Sequence, residues 1–184
     1  MAKNILVLIA SPRSNGNTDK LAGAFIEGAE SAGHNVFRFL PGHGGIKPCL
    51  GCNYCAANGG KCVQDDEMTE IYEAFDKADV VVLASPLYFH SVSAQLKIII
   101  DRLYAAGSFN AFCYEKKESV FLMTCMESSN DIFDRAIGYY NILLEKAFPW
   151  VNRGEICVAG LESGKDSIEG HKALDRARQL GMSI

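Results

Sequence analysis

The densest chemistry in the chain is a run of four cysteines, Cys49-x2-Cys52-x2-Cys55-x6-Cys62. Four thiolates this close together can reach one metal centre. Closely spaced cysteines followed by a more distant fourth suit a [4Fe–4S] cluster. Tetrahedral zinc is the second option, since it also accepts four thiolates. A third reading leaves a surface loop with free thiols or a reversible disulfide. No residue type in the segment separates the three. Gly51, Gly59 and Gly60 let the backbone fold tightly around whatever the thiols hold.

Two other stretches carry chemistry. Ser11 to Thr18 reads SPRSNGNT, directly after the aliphatic run Ile5–Ile9 and directly before a helical pattern. A strand ending in a hydroxyl- and amide-rich loop at a helix N-terminus forms an anion site, where free N–H groups and the helix dipole converge on a phosphate. The loop lacks the lysine of a Walker motif and has only Gly16 where a dinucleotide fingerprint needs three glycines. Its hydroxyls, amides and Arg13 suit a terminal monophosphate. The other stretch, Ser85-Pro86-Leu87-Tyr88-Phe89-His90, sets two aromatics after a buried strand, where a flavin ring could lie. Cys113, Cys125 and Cys157 lack motif spacing; Cys157 reads as a core residue, and Cys125 borders a candidate site loop. Of His34, His43, His90 and His171, only His90 lies near these loops, and it reads as facing solvent.

The elements that must position these residues alternate regularly. Strands are expected at Ile5–Ile9, Val36–Leu40, Ala78–Ala84, Ser119–Thr124 and Glu155–Ala159. Helices are expected from Asn17 or Thr18, either of which can cap, to Gly33; from Asp65 or Asp66 to Lys77; and over Ser93–Ala106, Asp131–Phe148 and Ile168–Leu180. Asp101 and Arg102 read as a charged pair. Continuous apolar strands alternating with helices indicate one domain over residues 1–184, an open parallel α/β sheet covered on both faces, with an insertion over residues 41–65. Ligands in such sheets sit beyond the carboxyl ends of the strands. In strand order 2-1-3-4-5 the loops Ser11–Thr18, Ser85–Ser91 and Thr124–Asn130 become neighbours.

Composition excludes several function classes. The 184 residues are ordinary for a globular core, with 48% hydrophobic and 22% charged. A net charge of −4 favours neither nucleic acid nor an anionic membrane surface. No apolar run reaches membrane-spanning length, and Met1–Ile9 is too short for a signal peptide. Seven cysteines, an odd number, read as those of a reducing compartment, so the chain is expected to be cytoplasmic.

S-P-R-S-N-G-N-T after the first strand, S-P-L-Y-F after the third and S-A-Q-L-K-x-x-x-D-R in the next helix resemble the flavodoxin-like family of NAD(P)H-dependent FMN reductases. The cysteine insertion resembles that of the iron–sulfur flavoproteins. The resemblance implies a flavodoxin-like three-layer sandwich, non-covalent FMN, and hydride or electron transfer through the flavin. By the family pattern Ser11, Arg13, Asn17 and Thr18 bind the FMN phosphate. Pro86, Leu87, Tyr88 and Phe89 line the isoalloxazine, with backbone N–H groups near its pyrimidine edge, and Thr124 joins them from the fourth-strand loop. That loop, Thr124-Cys125-Met126-Glu127, departs from the glycine-rich version frequent in the family.

No catalytic dyad is visible or required, because flavin N5 carries the chemistry. In the enzyme reading NAD(P)H reduces FMN, which passes electrons to a small acceptor such as a quinone or free flavin. In the carrier reading FMN and a [4Fe–4S] cluster on Cys49, Cys52, Cys55 and Cys62 relay electrons to a protein such as ferredoxin. A third class is a flavin-binding or metal-stabilised interaction protein without turnover. The resemblance also implies a homodimer or homotetramer. Gly107–Tyr114, with Phe109, Phe112 and Tyr114, reads as interface or packed loop.

Overall fold

A computed structural model describes residues 1–41, 45–108, 116–161 and 168–184. His43, Phe109, Phe112, Cys113 and Tyr114 lie outside the described residues, so the interface reading of Gly107–Tyr114 lies there as well. Five parallel strands, β1 (Asn4–Ile9), β2 (Asn35–Phe39), β3 (Val80–Pro86), β4 (Glu118–Thr124) and β5 (Val151–Val158), form one sheet in the order β2-β1-β3-β4-β5. Alternation along the strands feeds two cores. Leu6, Leu8, Val81, Leu83, Phe121 and Met123 face one side, and Ile5, Val7, Ile9, Val80, Val82, Val120 and Leu122 face the other. The expected three-layer sandwich and strand order are both present.

Helices α1 (Asn17–Ser31) and α7 (Lys172–Met182) cover the second core through Leu21, Phe25, Ala173 and Ala177. They approach closely enough that a Cβ on Gly28 would lie 1.9 Å from the Arg178 carbonyl oxygen, and one on Gly181 2.1 Å from that of Phe25. Only glycine fits there. Helices α3 (Met68–Lys77), α4 (Ala94–Arg102) and α6 (Asp134–Ile142) cover the first core through Met68, Ile71, Leu96, Ile99, Ala136 and Tyr140. Two short helices, α2 (Tyr54–Ala57) and α5 (Tyr104–Ser108), complete the set.

Several boundaries differ from the expectation. The helix expected over Asp131–Phe148 is a 3-10 turn at Asn130–Phe133, then α6, then a π turn at Leu143–Ala147 that closes with the Phe148 N–H donating to the Leu143 carbonyl at 2.7 Å. Strand β5 starts at Val151, because a bulge around Arg153 lets a polar edge segment pair with β4. Helix α7 starts at Lys172, capped by His171 Nδ1, which accepts from the Ala173 N–H at 3.1 Å. Gly16, extended and without a side chain to offer, occupies the N-cap of α1, so neither Asn17 nor Thr18 caps it.

The expected Asp101–Arg102 pair does not form. Asp101 faces Lys97 at 2.6 Å on the exposed side of α4, while Arg102 points inward to Asp66. The Arg102 and Asp66 side chains are 1% and 4% exposed. Arg102 Nη1 and Nη2 donate to the two Asp66 carboxylate oxygens at 2.8 and 3.0 Å, and Nη1 also donates to the Lys47 carbonyl at 2.8 Å. Asp66 further accepts from the backbone N–H groups of Lys47 and Met68, both at 3.1 Å. The Tyr72 hydroxyl donates to the Arg102 carbonyl at 2.8 Å. Lys47 and Asp66 flank the cysteine segment, so one guanidinium holds both ends of the insertion.

Burial alone would raise the Asp66 pKa. The hydrogen bonds from Arg102, Lys47 and Met68 reverse that and leave it below the usual 3.8. The unfolded chain therefore takes up this proton first as pH falls. The stabilisation is present above pH 3.8 and is lost as pH drops through the lower folded value. Asp66→Ala leaves the guanidinium buried without its counter-charge, and a loss of about 3–5 kcal/mol is expected in denaturant titration. Backbone amide protection over residues 47–66 of the unsubstituted protein, corrected for the intrinsic pH dependence of exchange, is expected to fall as the pH drops below 3.8.

Candidate functional site

The carboxyl ends of β1, β3 and β4 are levelled by backbone bonds: Ala10 N–H to the Ala84 carbonyl (2.8 Å), Leu87 N–H to Thr124 (2.8 Å) and Cys125 N–H to Val158 (3.0 Å). Fully buried Ser85 and Ser93 then tie the loops to one another. Ser93 Oγ donates to the Ala10 carbonyl at 2.7 Å and accepts from the Leu96 N–H at 3.3 Å, capping α4. Ser85 Oγ accepts from the Ser93 N–H at 2.9 Å. The first and third post-strand loops are thereby locked to the start of α4.

Between the loops lies a cavity of about 240 Å³. Eight of the nine cofactor residues expected from the sequence line it: Ser11, Arg13, Asn17, Thr18, Pro86, Leu87, Tyr88 and Thr124. Gly16, Cys125, Met126 and Leu161 complete the lining. Leu161 was not among the expected residues; it follows β5, and nothing in its local sequence marks it as a site residue. Phe89, expected against the ring, is fully exposed and is not part of the lining. His90 is exposed, as expected. The Leu87 and Tyr88 N–H groups, candidates for a ring edge, are already donated to Thr124 and Ser91.

The loop between β1 and α1 closes one end of the cavity. The first N–H groups of α1 have no partner within the helix and open onto the loop. Ser11 Oγ accepts from the Arg13 N–H at 3.2 Å, shaping the turn, and the Thr18 and Thr124 hydroxyls hydrogen-bond each other across the cavity at 2.7 Å. Asp19, buried in the first turn of α1, would repel an anion if left alone. It is paired with Arg38 of β2, and its other oxygen accepts from the Asn15 N–H at 2.8 Å, holding Asn15 in the left-handed region (φ 58°). Burial raises the Cys125 thiol pKa, against hydrogen bonds from the Glu127 and Gly160 backbone, and raises that of Cys157 to about 12. Both thiols are protonated at neutral pH, and half-buried Cys157 packs against the core as expected.

A second cavity, of about 400 Å³, is lined by Cys49, Cys52, Cys55 and Cys62, with Leu50, Tyr104 and Arg102 among its walls. The segment turns tightly through left-handed Gly51, Asn53, Gly59 and Gly60 (φ 64°, 57°, 62° and 82°). The four cysteines are free thiols, and no three metal-ligating side chains are grouped around a single-ion position among the described residues. Four thiols line this one cavity, the number an iron–sulfur centre takes, but among the described residues they are not drawn together around one position. This second cavity meets the C-terminal end of α4 at Asp101 and Arg102, a helix whose nine residues span about 14 Å. A further hollow of about 500 Å³, beside β2 and α3 at the opposite end of the sheet from the loops, has no grouped chemistry.

Tyr88 and Ser91 exchange backbone hydrogen bonds at 2.9 and 3.0 Å across a two-residue turn whose central residues, Phe89 and His90, both have positive φ (47° and 62°). Such turns ordinarily take Asn-Gly, and left-handed backbone costs other residues about 1–2 kcal/mol each. Replacing Phe89→Asn together with His90→Gly is therefore expected to stabilise the fold by about 1–2 kcal/mol in denaturant titration.

The model of the family described as NADPH-dependent FMN reductase matches residues 3–129. An iron-sulfur flavoprotein of Archaeoglobus fulgidus is 32% identical over 177 residues, 96% of this chain and 76% of that protein. An iron-sulfur flavoprotein of Methanosarcina thermophila is 37% identical over 92 residues, 50% of this chain and 48% of its own length, so the chain spans about half of that relative. Among solved structures, an NAD(P)H:quinone oxidoreductase from Methanothermobacter marburgensis superposes with a TM-score of 0.74 at 21% identity, over 100% of this chain and 96% of that one. An azoreductase from Bacillus anthracis gives 0.74 at 18% identity, over 100% of both chains. At these identities the structures show a shared fold.

Proposed function

The chain belongs to the NADPH-dependent FMN reductase family and is an oxidoreductase, and from that premise we propose that it passes electrons from NAD(P)H through FMN, held in the 240 Å³ cavity, to a small acceptor such as a quinone or free flavin. The observation that carries the proposal is the convergence of eight expected residues from three separate loops on one cavity at the carboxyl edge of the sheet. Bound FMN supplies the hydride and electron chemistry.

The protein's part is binding and orientation. Ser11, Thr18, Asn17 and Arg13, with the first N–H groups of α1, grip the phosphate. Thr124, whose hydroxyl is bonded to that of Thr18, would join the residues that hold FMN. Pro86, Leu87 and Tyr88 form one wall for the ring, and Cys125 and Met126 form the other. The neutral thiol of Cys125 adds no charge to that wall. The Arg38 pairing keeps Asp19 from making the phosphate end net repulsive. Residues 1–184 act as one domain in this reading. The exposed Tyr88 and Met126 at the mouth of the cavity suit a homodimer or homotetramer in which a second copy covers it. No helix among the described residues is long and apolar enough to cross a membrane. The free thiols suit the reducing cytoplasm.

A second reading is favoured by the lining of the larger cavity. Cys49, Cys52, Cys55 and Cys62 would hold a [4Fe–4S] cluster, which supplies one-electron transfer, making the chain a carrier between flavin, cluster and a protein such as ferredoxin. Relatives named iron-sulfur flavoprotein support it. Anaerobic addition of NADPH or NADH is expected to bleach the flavin absorbance, and a quinone to restore it. Bleaching by reduced ferredoxin but by neither nucleotide would select the carrier. Thr18→Ala and Ser11→Ala are each expected to weaken FMN binding by about 1 kcal/mol, measured by flavin fluorescence titration. Unchanged affinity in both moves the phosphate elsewhere.

A further inference from the structure

We propose that Asp19, backed by Arg38, is a positioning residue for the phosphate loop and the reason the loop cavity selects a phosphorylated flavin. The inference rests on the FMN reading given above and assigns within it two residues that do not line the cavity.

In a capping box the N-cap side chain bonds forward to the third helical N–H, and the third helical side chain reaches back to the N-cap. Helix α1 has only the second half of that arrangement. Its N-cap is Gly16, which has no side chain to reach forward. Asp19, the third residue of the helix, reaches back past Gly16 and accepts from the Asn15 N–H at 2.8 Å. The Gly16 carbonyl takes the Lys20 N–H at 3.0 Å, and the N–H groups of Asn17, Thr18 and Asp19 have no acceptor inside the helix. Gly16, Asn17 and Thr18 line the cavity, whereas Asp19 is 4% exposed and does not. The helix start is thus shaped by a carboxylate and left without a side-chain cap, which an anion in the cavity would supply.

Asn15 sits at φ 58°, a left-handed backbone that residues other than glycine enter at a cost. Without the carboxylate its N–H loses an acceptor, and a return to negative φ would shift Gly16 and the N-cap with it. The same carboxylate carries a charge of the wrong sign for a phosphate at that helix end. Its other oxygen pairs with Arg38, which reaches across from β2 and supplies the counter-charge. Asp19 therefore shapes the loop without repelling the ligand. Riboflavin has the same ring as FMN and no phosphate, and Pro86, Leu87 and Tyr88 stand on a different loop. A defect behind the phosphate loop falls on FMN and spares riboflavin.

The test strips flavin from the full chain and titrates FMN and riboflavin separately, following flavin fluorescence. The wild type is expected to bind FMN the more tightly. Asp19→Ala is expected to lower FMN affinity about tenfold or more, as for loss of a hydrogen bond to a charged group, with riboflavin affinity unchanged. Adding Asn15→Gly is expected to recover part of that loss, because glycine takes left-handed backbone freely. Arg38→Met alters a half-exposed side chain and decides the matter even where Asp19→Ala does not fold. It is expected to lower FMN affinity alone, and most at low salt, where the uncovered Asp19 charge is least screened. Either single variant that binds FMN as the wild type does overturns the assignment, and so does a double variant no better than Asp19→Ala. Variants that lose FMN and riboflavin equally overturn it too, since Asp19 and Arg38 would then be a structural pair alone. Wild-type protein that binds riboflavin as tightly as FMN overturns the placement of the phosphate and this assignment together.

Discussion

Burial of β1 and β3 on both faces is the constraint on which the rest of the structure depends. Ile5 to Ile9 and Val80 to Ala84 expose almost nothing, so each strand must have a partner on both edges and helices above and below. Parallel neighbours then deliver their following loops to the same edge of the sheet. Register does the remainder: Ile9 pairs with Ala84, and Pro86 with Thr124, so the loops begin at nearly one level. Side chains from positions 11–18, 86–88 and 124–126 meet in one cavity because the strands beneath them cannot slip without turning apolar faces to solvent.

The cysteine segment obeys a different rule. Between Lys47 and Asp66 most residues are exposed or half-buried, and its one helix is a single turn. Hydrophobic burial therefore contributes little to its shape. Its neck is closed by charge-assisted hydrogen bonds in a dry place, where a bidentate pair has both strength and direction. Burying Arg102 and Asp66 is costly in desolvation, and the Asp66 carboxylate offsets this by accepting four hydrogen bonds. What the pair achieves is geometric: an insertion with no core of its own is pinned to α4 at a defined place.

Legibility followed the same division. The continuous aliphatic runs made the sheet, its order and its two cores readable, because burial on both faces writes itself directly into residue type. That eight expected residues share one cavity was readable because hydroxyl, amide and aromatic side chains right after such strands have few structural reasons to cluster. Phe89 points away from the cavity because it sits in a two-residue turn with left-handed backbone at both centres, which Phe-His does not advertise. Arg102 was assigned to its neighbour Asp101 because sequence adjacency was allowed to stand for contact. On a helix consecutive residues diverge by about 100°, so the two point to different faces. Its real partner lies 36 positions away. Strand β5 was read short because an edge strand has little apolar signal before its bulge.

Two cavities thus share one fold without sharing the same determinants. The loop cavity is dictated by the sheet. The cysteine cavity is dictated by an insertion and one arginine at the C-terminal end of α4. A change there leaves the sheet untouched. This is why structures at 18–21% identity superpose over the whole chain and yet say nothing of the thiols. The chemistry of the segment from Lys47 to Asp66, and of the side chain that holds it, has to be read on its own donors and charges.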